Sequence, residues 1–312
     1  MTEVLRDSPA ERPKPAHGTP RVSVIMATYN MGNYVGAAIE SVLAQTVPDL
    51  ELHVVDDGST DDTAERVKRY LTDPRVRYHY QPNAGQTAAK NRGIAASTGE
   101  FIGFCDADDL WVPEKLAMQI PVFEAHPEAG VVYARTREID EHGNELPEKV
   151  HSEPTGKVTQ ELFFENFVPF GTAMARRSLL IEHGAFRPDL RMGIDWELWL
   201  RLSVHCEFQF VPSVAYLYRV WSGQMSKNWK GRYEACFQIM AEFERAHPNL
   251  INTATRRRAY SHSYVNRARA RATISNDILG CLADAWRAAS YGPAAGSAIK
   301  TATKAVLGGF RK

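Results

Sequence analysis

Phe101-Ile102-Gly103-Phe104-Cys105-Asp106-Ala107-Asp108-Asp109-Leu110-Trp111 is an apolar run that stops abruptly at three carboxylates. Short apolar runs of this kind suit a strand buried on both faces of a parallel sheet. Acids just past the C-terminal end of such a strand stand where open α/β sheets bind ligands. Asp106 and Asp108, one residue apart, repel each other unless a cation, or the metal of a bound polyanion, joins them. The stretch therefore reads as a divalent-metal site at a cleft. The other reading is a solvated turn with spare acids, since short acidic motifs recur by chance.

Upstream, the same grammar occurs three times. Residues 22–30 (VSVIMATYN) read as a strand that meets Tyr29 and Asn30, and residues 33–45 follow as an amphipathic helix with Ile39, Val42 and Leu43 on one face. Residues 51–57 (ELHVVDD) form a second strand, Gly58 permits a tight turn, and Ser59 or Thr60 can cap a helix over 61–71. A third unit places a strand at 76–81, a turn through Asn83 and Gly85, and a helix at 87–97. Strands alternating with helical patterns imply right-handed βαβ crossovers and a parallel sheet. All C-terminal strand ends then face one way, so Tyr29 with Asn30, Asp56 with Asp57, and Asp106 with Asp108 converge on one edge.

Downstream, Pro113 opens a helix that Pro121 should kink or end. Residues 129–140 read as a strand, 140–156 as a polar loop or hairpin, and 157–167 as an aromatic-rich amphipathic segment. A strand leading into a helix follows at 171–180. Residues 192–202 (MGIDWELWLRL) place Leu198, Trp199 and Leu202 on one helical face with Asp195 in the first turn. Residues 208–221 alternate like strands, and from about 227 the pattern is helical and rich in Ala and Arg.

A chain of 312 residues with 44% hydrophobic and 24% charged residues fits one large α/β domain plus an appendage. Residues 1–20, with Pro9, Pro13, Pro15 and Pro20 among charges, are expected to form a disordered tail. The formal net charge of zero hides a polarity: residues 251–312 hold 11 Lys/Arg against 2 Asp/Glu, while the rest holds 26 against 35. An anionic surface is the expected neighbour of the C-terminus, the alternative being a solvated bundle or subunit interface. Cys105, Cys206, Cys236 and Cys281 form no CxxC pair, which argues against zinc and against a disulfide framework and fits a reducing cytosol. No run of 18 apolar residues occurs, and Glu3, Asp7 and Glu11 do not suit a signal peptide.

A carboxylate can accept an N–H from a base, Tyr29 can pack on a flat ring, and a carboxylate-bound Mg²⁺ or Mn²⁺ suits a diphosphate. The implied ligand is a nucleotide diphosphate. For Asp56 and Asp57 the alternative is turn and cap chemistry. Neither GxGxxG after the first strand nor GxxxxGK[ST] is present, so a metal must do much of the phosphate binding. Asn83, Gly85, Lys90 and Arg92 can assist, although the two cations also suit a solvated helix face. Asp195, set among Trp196, Leu198 and Trp199, is partly desolvated and can serve as a general base. Its alternative reading is a helix N-terminal acid.

In this order and spacing, VSVIMATYN, VVDDGSTDDT, NAGQTAAKNRG, FCDADD, IDWELWLRL and YRVWSGQMS resemble the family 2 inverting glycosyltransferases of the GT-A fold. The resemblance covers residues 21–228 and leaves 229–312 as a basic helical extension. It implies an α/β fold with a mostly parallel central sheet and flanking helices. It also implies a nucleobase pocket lined by Ala27, Tyr29 and Asp57, with Asn83, Lys90, Asp106 and Ala107 around the nucleotide sugar. Asp108 would ligate Mn²⁺ or Mg²⁺, and Asp195 would be the catalytic base. A nucleotide-sugar donor, UDP preferred, and a saccharide or lipid-linked acceptor follow from it, with no nucleic-acid partner. The location implied is cytoplasmic, with the C-terminus at the inner face of the cell membrane as a further expectation. Two departures stand out: Ile194 replaces the acid often found before the base, and Trp221 stands where a His is frequent, although Arg219 and Gln224 agree. Rival readings are a non-catalytic nucleotide-sugar-binding protein, a sugar nucleotidyltransferase, whose Gly-rich basic loop is replaced here by ATYNMGN, and a dehydrogenase, which lacks its glycine fingerprint.

Overall fold

A computed structural model describes residues 19–148, 152–224 and 228–292. The expected tail at 1–20 falls almost wholly outside these residues, as does the terminal basic stretch beyond 292.

Four apolar runs become β1 (Val22–Thr28), β2 (Leu50–Asp56), β3 (Val76–Tyr80) and β4 (Phe101–Phe104). Helices α1 (Val35–Leu43), α2 (Thr63–Lys68) and α3 (Gln86–Ala96) connect them. β1 lies between β2 and β4 and pairs parallel with both, while β3 extends β2. Every residue of β2 is buried, as expected for a strand covered by helices on both faces. Parallel pairing sets Thr28 opposite Asp56 and brings Ile25 opposite Phe104, so the residues that follow all three strands leave from one edge.

Beyond β4 come β5 (Leu110–Trp111), α4 (Lys115–Ala125), β6 (Ala129–Ile139), α5 (Thr159–Phe164), β7 (Met174–Arg176), α6 (Arg177–Glu182), α7 (Ile194–Leu202) and β8 (Glu207–Arg219). The eight strands run in the order β3-β2-β1-β4-β7-β6-β8-β5. The sheet is mixed past β4, because β7 pairs antiparallel with both β4 and β6. β6 and β8 return to parallel pairing. Short β5 then pairs antiparallel with the end of β8, Leu110 against Leu217 and Trp111 against Tyr216. That last pairing carries residues 219–221 to the acidic turn.

Two expectations are corrected here. Pro121 does not end α4, which runs through it to Ala125. Pro121 and Ala117, whose carbonyl the proline ring deprives of a donor, are both on the exposed side where water can replace the lost bond. Buried Leu116, Gln119, Ile120 and Phe123 hold the other face. Ser59 and Thr60 do not cap α2, whose N-cap residue is Asp62. Instead Asp61 Oδ1 accepts the Thr63 N–H at 3.0 Å, and Asn30 Oδ1 accepts that of Thr60 at 2.8 Å.

Among the described residues, three helices follow β8: α8 (Trp229–Ala246), α9 (Thr253–Ile274) and α10 (Ile278–Ser290). Ala235, Ile239, Met240 and Phe243 of α8 and Ala259 of α9 join the same buried cluster as Phe104, Phe163, Leu198 and Trp199. Each such large apolar side chain contributes about 1.5–3 kcal/mol on burial. α10 packs on α9 through a smaller cluster of Val265, Ala268, Cys281, Ala285 and Ala288.

One buried cation lies off the ligand edge. Lys115 Nζ donates to Gln119 Oε1 and to the Thr172 carbonyl, both at 2.6 Å, and lies 4.7 Å from the centre of the Trp111 ring. Burial pushes its ammonium down to about 7. The folded value is below the unfolded one, so between about pH 7 and pH 10 the unfolded chain binds a proton that the folded chain does not, and stability rises with pH. Below that window both states are protonated and the folded state bears the whole cost of the buried charge. Lys115→Met should remove this rise, so the difference in unfolding free energy between wild type and variant, measured by urea titration, should change between pH 7 and pH 9.5. An unchanged difference would show that the buried ammonium keeps its charge.

Candidate active site

Asp57 follows β2 directly and is 3% exposed. Its Oδ1 accepts the Gln81 amide at 2.7 Å and the Ala84 N–H at 2.9 Å, and its Oδ2 accepts the Gly85 N–H at 2.8 Å. Two acceptor positions on Oδ1 are taken and one on Oδ2, so one lone pair stays open to a base N–H. Gly58 makes this approach possible: at φ 81° it is in the left-handed region, and a Cβ there would lie 2.7 Å from the Asn83 backbone nitrogen. Asp56 is fully buried and structural, accepting the Ser59 N–H and the Tyr78 hydroxyl at 2.8 Å each. Tyr29 is 46% exposed just past β1, with Ala27 behind it in the strand, and so offers a free ring face at the same edge.

Gly85 is also the N-cap residue of α3. That helix carries Lys90, 4% exposed, whose Nζ reaches Asp106 Oδ1 at 2.8 Å and lies 4.4 Å from the centre of the Phe170 ring. Lys90, expected as a phosphate cation, is therefore already paired with a carboxylate. Arg92 instead donates to the Tyr80 carbonyl at 2.7 Å. Asn83 is exposed in the loop that Asp57 fastens.

The three acids after β4 separate sharply. Asp106 keeps a partly open carboxylate beside Lys90. Asp108 Oδ2 accepts the Trp221 indole N–H at 2.8 Å, while Arg219 Nε donates to the Asp108 carbonyl at 2.8 Å. Burial and the neighbouring Asp106 charge raise the Asp108 carboxyl above the usual range. Asp109 turns inward, accepting the Tyr216 hydroxyl at 2.7 Å and the Arg219 backbone N–H at 2.6 Å. Ala107, 3% exposed, sits between Asp106 and Asp108 in the chain.

Asp106 and Asp108 offer hard oxygen donors of the kind Mg²⁺ and Mn²⁺ take, and the Lys90 and Trp221 bonds each fall on one oxygen of their carboxylate. Among the described residues no group of three or more His, Cys, Asp or Glu side chains could hold an ion alone. The donor set fits a metal that completes its shell with diphosphate oxygens and water.

Asp195 stands in the first turn of α7. Trp199, one turn later on the same face, packs edge-on to Phe104 with ring centres 6.1 Å apart and tilted to Phe170 at 6.3 Å. These are the ring that ends β4 and the ring under Lys90, and the Lys90 charge is felt at Asp195 as well, so the first turn of α7 lies near the Lys90–Asp106 pair. Burial raises its carboxyl above the usual aspartate range, opposed by the Asn166 amide, by backbone N–H groups and by the Lys90 charge. Asn166 Nδ2 donates to Asp195 Oδ2 at 2.8 Å. Sequence reading missed Asn166, which carries no motif, and missed the Tyr216–Asp109 bond.

The profile of Glycosyl transferase family 2 matches residues 23–184. An uncharacterized glycosyltransferase of Rickettsia felis is 36% identical over 186 residues, 59% of this chain and 30% of that protein. Chondroitin synthase of Escherichia coli is 31% identical over 63% of this chain and 28% of its own length. The chain thus spans less than a third of these two relatives. Among solved structures, S. aureus TarS 1–349 in complex with UDP-GlcNAc superposes with a TM-score of 0.66 at 19% identity, covering 91% of this chain and 89% of that one. Mannosyltransferase PcManGT from Pyrobaculum calidifontis, in complex with GDP-Man and Mn2+, gives 0.55 at 21% identity over 94% and 75%. The fold is shared with both. With more than half of its length matched by that profile and the acidic edge built as described, the chain belongs to glycosyltransferase family 2 and has the GT-A fold.

Proposed function

We propose that this chain moves a sugar, with inversion, from a nucleotide diphosphate to a hydroxyl of a saccharide or lipid-linked acceptor. Residues 21–228 would form the catalytic domain and 229–312 an extension. The observation that carries the reading is the meeting of Lys90, Asp106, Asp108 and Asp195 at one sheet edge, with Lys90 charge felt at both Asp108 and Asp195. The TarS neighbour binds UDP-GlcNAc and the PcManGT neighbour GDP-Man with Mn²⁺, which supports a nucleotide-sugar donor. The open acceptor position of Asp57 suits the imide N–H of uracil, and UDP is our choice of donor nucleotide.

In this reading Asp57, Ala27 and Tyr29 bind the base, and Asn83 and Ala107 border the nucleotide. Asp108, with Asp106 beside it, would hold Mn²⁺ or Mg²⁺, which supplies Lewis-acid stabilisation of the leaving diphosphate. Lys90 keeps the carboxylate pair from repelling the incoming phosphates. Asp195 takes the proton of the acceptor hydroxyl as that oxygen attacks the anomeric carbon from the face opposite the diphosphate. One carboxylate suffices there, unlike the paired acids of glycoside hydrolysis. Asn166 donates to one Asp195 oxygen and so would help fix the carboxylate's orientation toward the hydroxyl. No helix among the described residues is long and apolar enough to cross a membrane.

Asp195→Asn should lower turnover by at least ~10²-fold while UDP affinity, measured calorimetrically, stays within a factor of about three. Turnover close to wild type with the true acceptor would remove Asp195 from the role of base. Because that carboxyl must be ionised to accept the proton and its pKa is raised, kcat should fall on the acid side with a midpoint above the ordinary aspartate value. The limb should vanish in Asp195→Asn.

A thermal-shift panel of UDP-, dTDP- and GDP-sugars with and without Mn²⁺ tests the donor. A matched donor at 100 to 1,000 times its Kd should stabilise by about 3–4 kcal/mol, and Asp108→Asn should erase the Mn²⁺-dependent part. Equal Mn²⁺ enhancement in that variant would place the ion elsewhere.

A further inference from the structure

α10 is amphipathic the wrong way round for a helix whose large apolar face packs inward. Its inner face, against α9, is Cys281, Asp284, Ala285 and Ala288, all small or charged. Its large apolar side chains look outward: Leu279 is 81% exposed, Leu282 44% and Trp286 74%. Spacings of three and four residues put these three on one stripe. Ile274, at the end of α9, is 64% exposed. Leu, Leu and Trp on one helix face form a contiguous apolar feature of the kind that marks an interaction surface, unlike single exposed apolar side chains.

Charge decides what covers it. Residues 251–292 contain seven arginines and two acids, Asp277 and Asp284. Asp284 is buried under Arg267 and Arg271, with Arg287 Nη1 3.7 Å from it. Asp277 accepts the Gly280 N–H at 2.8 Å and pairs with Arg271. Both carboxylates are thus spent on internal partners, as are Arg267 and Arg271 in turn, and Arg287, with half its side chain exposed, is a cation bordering Trp286. The sequence past 292 adds Lys300, Lys304, Arg311 and Lys312 and no acid. A second copy meeting this stripe with its own would bring like charges together. An anionic bilayer offers the opposite charge to the cations and an apolar layer to Leu and Trp, the two components of interfacial binding by an amphipathic helix.

We propose that the α10 stripe of Leu279, Leu282 and Trp286 is a membrane-docking face that inserts at the headgroup level of an anionic phospholipid surface. The assignment is independent of the transfer reaction, and its test reads no activity. Full-length chain is floated with vesicles of phosphatidylcholine alone or with phosphatidylglycerol added, at low and at high salt. Wild type should float with the anionic vesicles, fall at least several-fold in recovery at high salt, and stay down with the neutral ones. Leu279→Ser/Trp286→Ser should cut recovery at least about tenfold, since two large apolar side chains are lost from the layer, while its circular dichroism stays that of wild type. Should that variant misfold, Trp286→Phe decides through brominated anionic lipid: quenching seen in wild type should be largely lost in it. Wild type that stays down with anionic vesicles, a folded double variant that floats as well as wild type, or equal quenching in Trp286→Phe overturns the proposal. So does a vesicle-free wild-type dimer that the double variant converts to monomer without wild-type flotation, which would make the occupant a second copy.

Discussion

The ammonium group of Lys90 holds the acidic edge together. Asp106, Asp108 and Asp195 come from two distant segments of the chain, yet the same cation pairs with the first and lowers the charge cost of the other two. At an effective dielectric of 20, two charges 4 Å apart interact by about 4 kcal/mol. Crowding these acids without a cation would therefore be costly, and Lys90 relieves part of that cost. Lys90 can do this only because α3 is held at the right height. Asp57 fixes that height by accepting the backbone N–H groups of Ala84 and Gly85 at the start of the helix. The carboxylate proposed to meet the base thus also seats the helix whose lysine sets the charge at the diphosphate end.

A second tie comes from the far end of the sheet. The pairing of β5 with β8 sets Tyr216 under Asp109 and brings Arg219 and Trp221 against Asp108. The Arg219 guanidinium also stacks on Tyr34, 5.1 Å from the ring centre, and Tyr34 lies 5.6 Å from Trp221. Trp221 is a donor only. An indole at this position can orient Asp108 but, unlike an imidazole, cannot add a nitrogen ligand to an ion or titrate near neutrality. The departure from a histidine thus shifts the whole of this contact onto the carboxylate.

The parallel half of the fold was legible because strands covered on both faces are written as nearly continuous apolar runs, as in 22–28 and 101–104. Asp106, Asp108 and Asp195 were legible because charge next to an apolar run is costly without a reason. What could not be read was direction. Asp109 is chemically the same as its neighbour, and only the turn after β4 sends it inward to Tyr216. Asp56 and Asp57 differ in the same way, one tied into the sheet edge and one left with an open acceptor. Asn166 was invisible because a lone amide in an irregular segment gains meaning only when α7 is laid beside it. That the helix continues past the proline at 121 could not be read, since its cost depends on whether the orphaned carbonyl of Ala117 meets water, a fact of burial and not of spacing. For α10, composition showed the basic surplus, but the outward turn of Leu279 and Trp286 depends on the seat that Cys281, Ala285 and Ala288 find on α9.

The helices after residue 228 are bound up with the geometry of the proposed base. Gly193, the N-cap residue of α7, has φ 66°, and a Cβ there would lie 3.0 Å from Ile239 Cδ1 and 3.8 Å from Ala235 Cβ, both on α8. α8 therefore presses on the backbone two residues before Asp195, in a conformation few other residues adopt without strain. Phe243 of α8 meets Phe163 of α5 with ring centres 6.0 Å apart, and Trp196 on α7 donates its indole N–H to the Leu162 carbonyl of α5 at 2.6 Å. α5, α7 and α8 thus form one packed wedge. A carboxylate that must sit within about half an ångström of its working position needs such backing. In this chain α8 packs against the start of the helix that carries the proposed base.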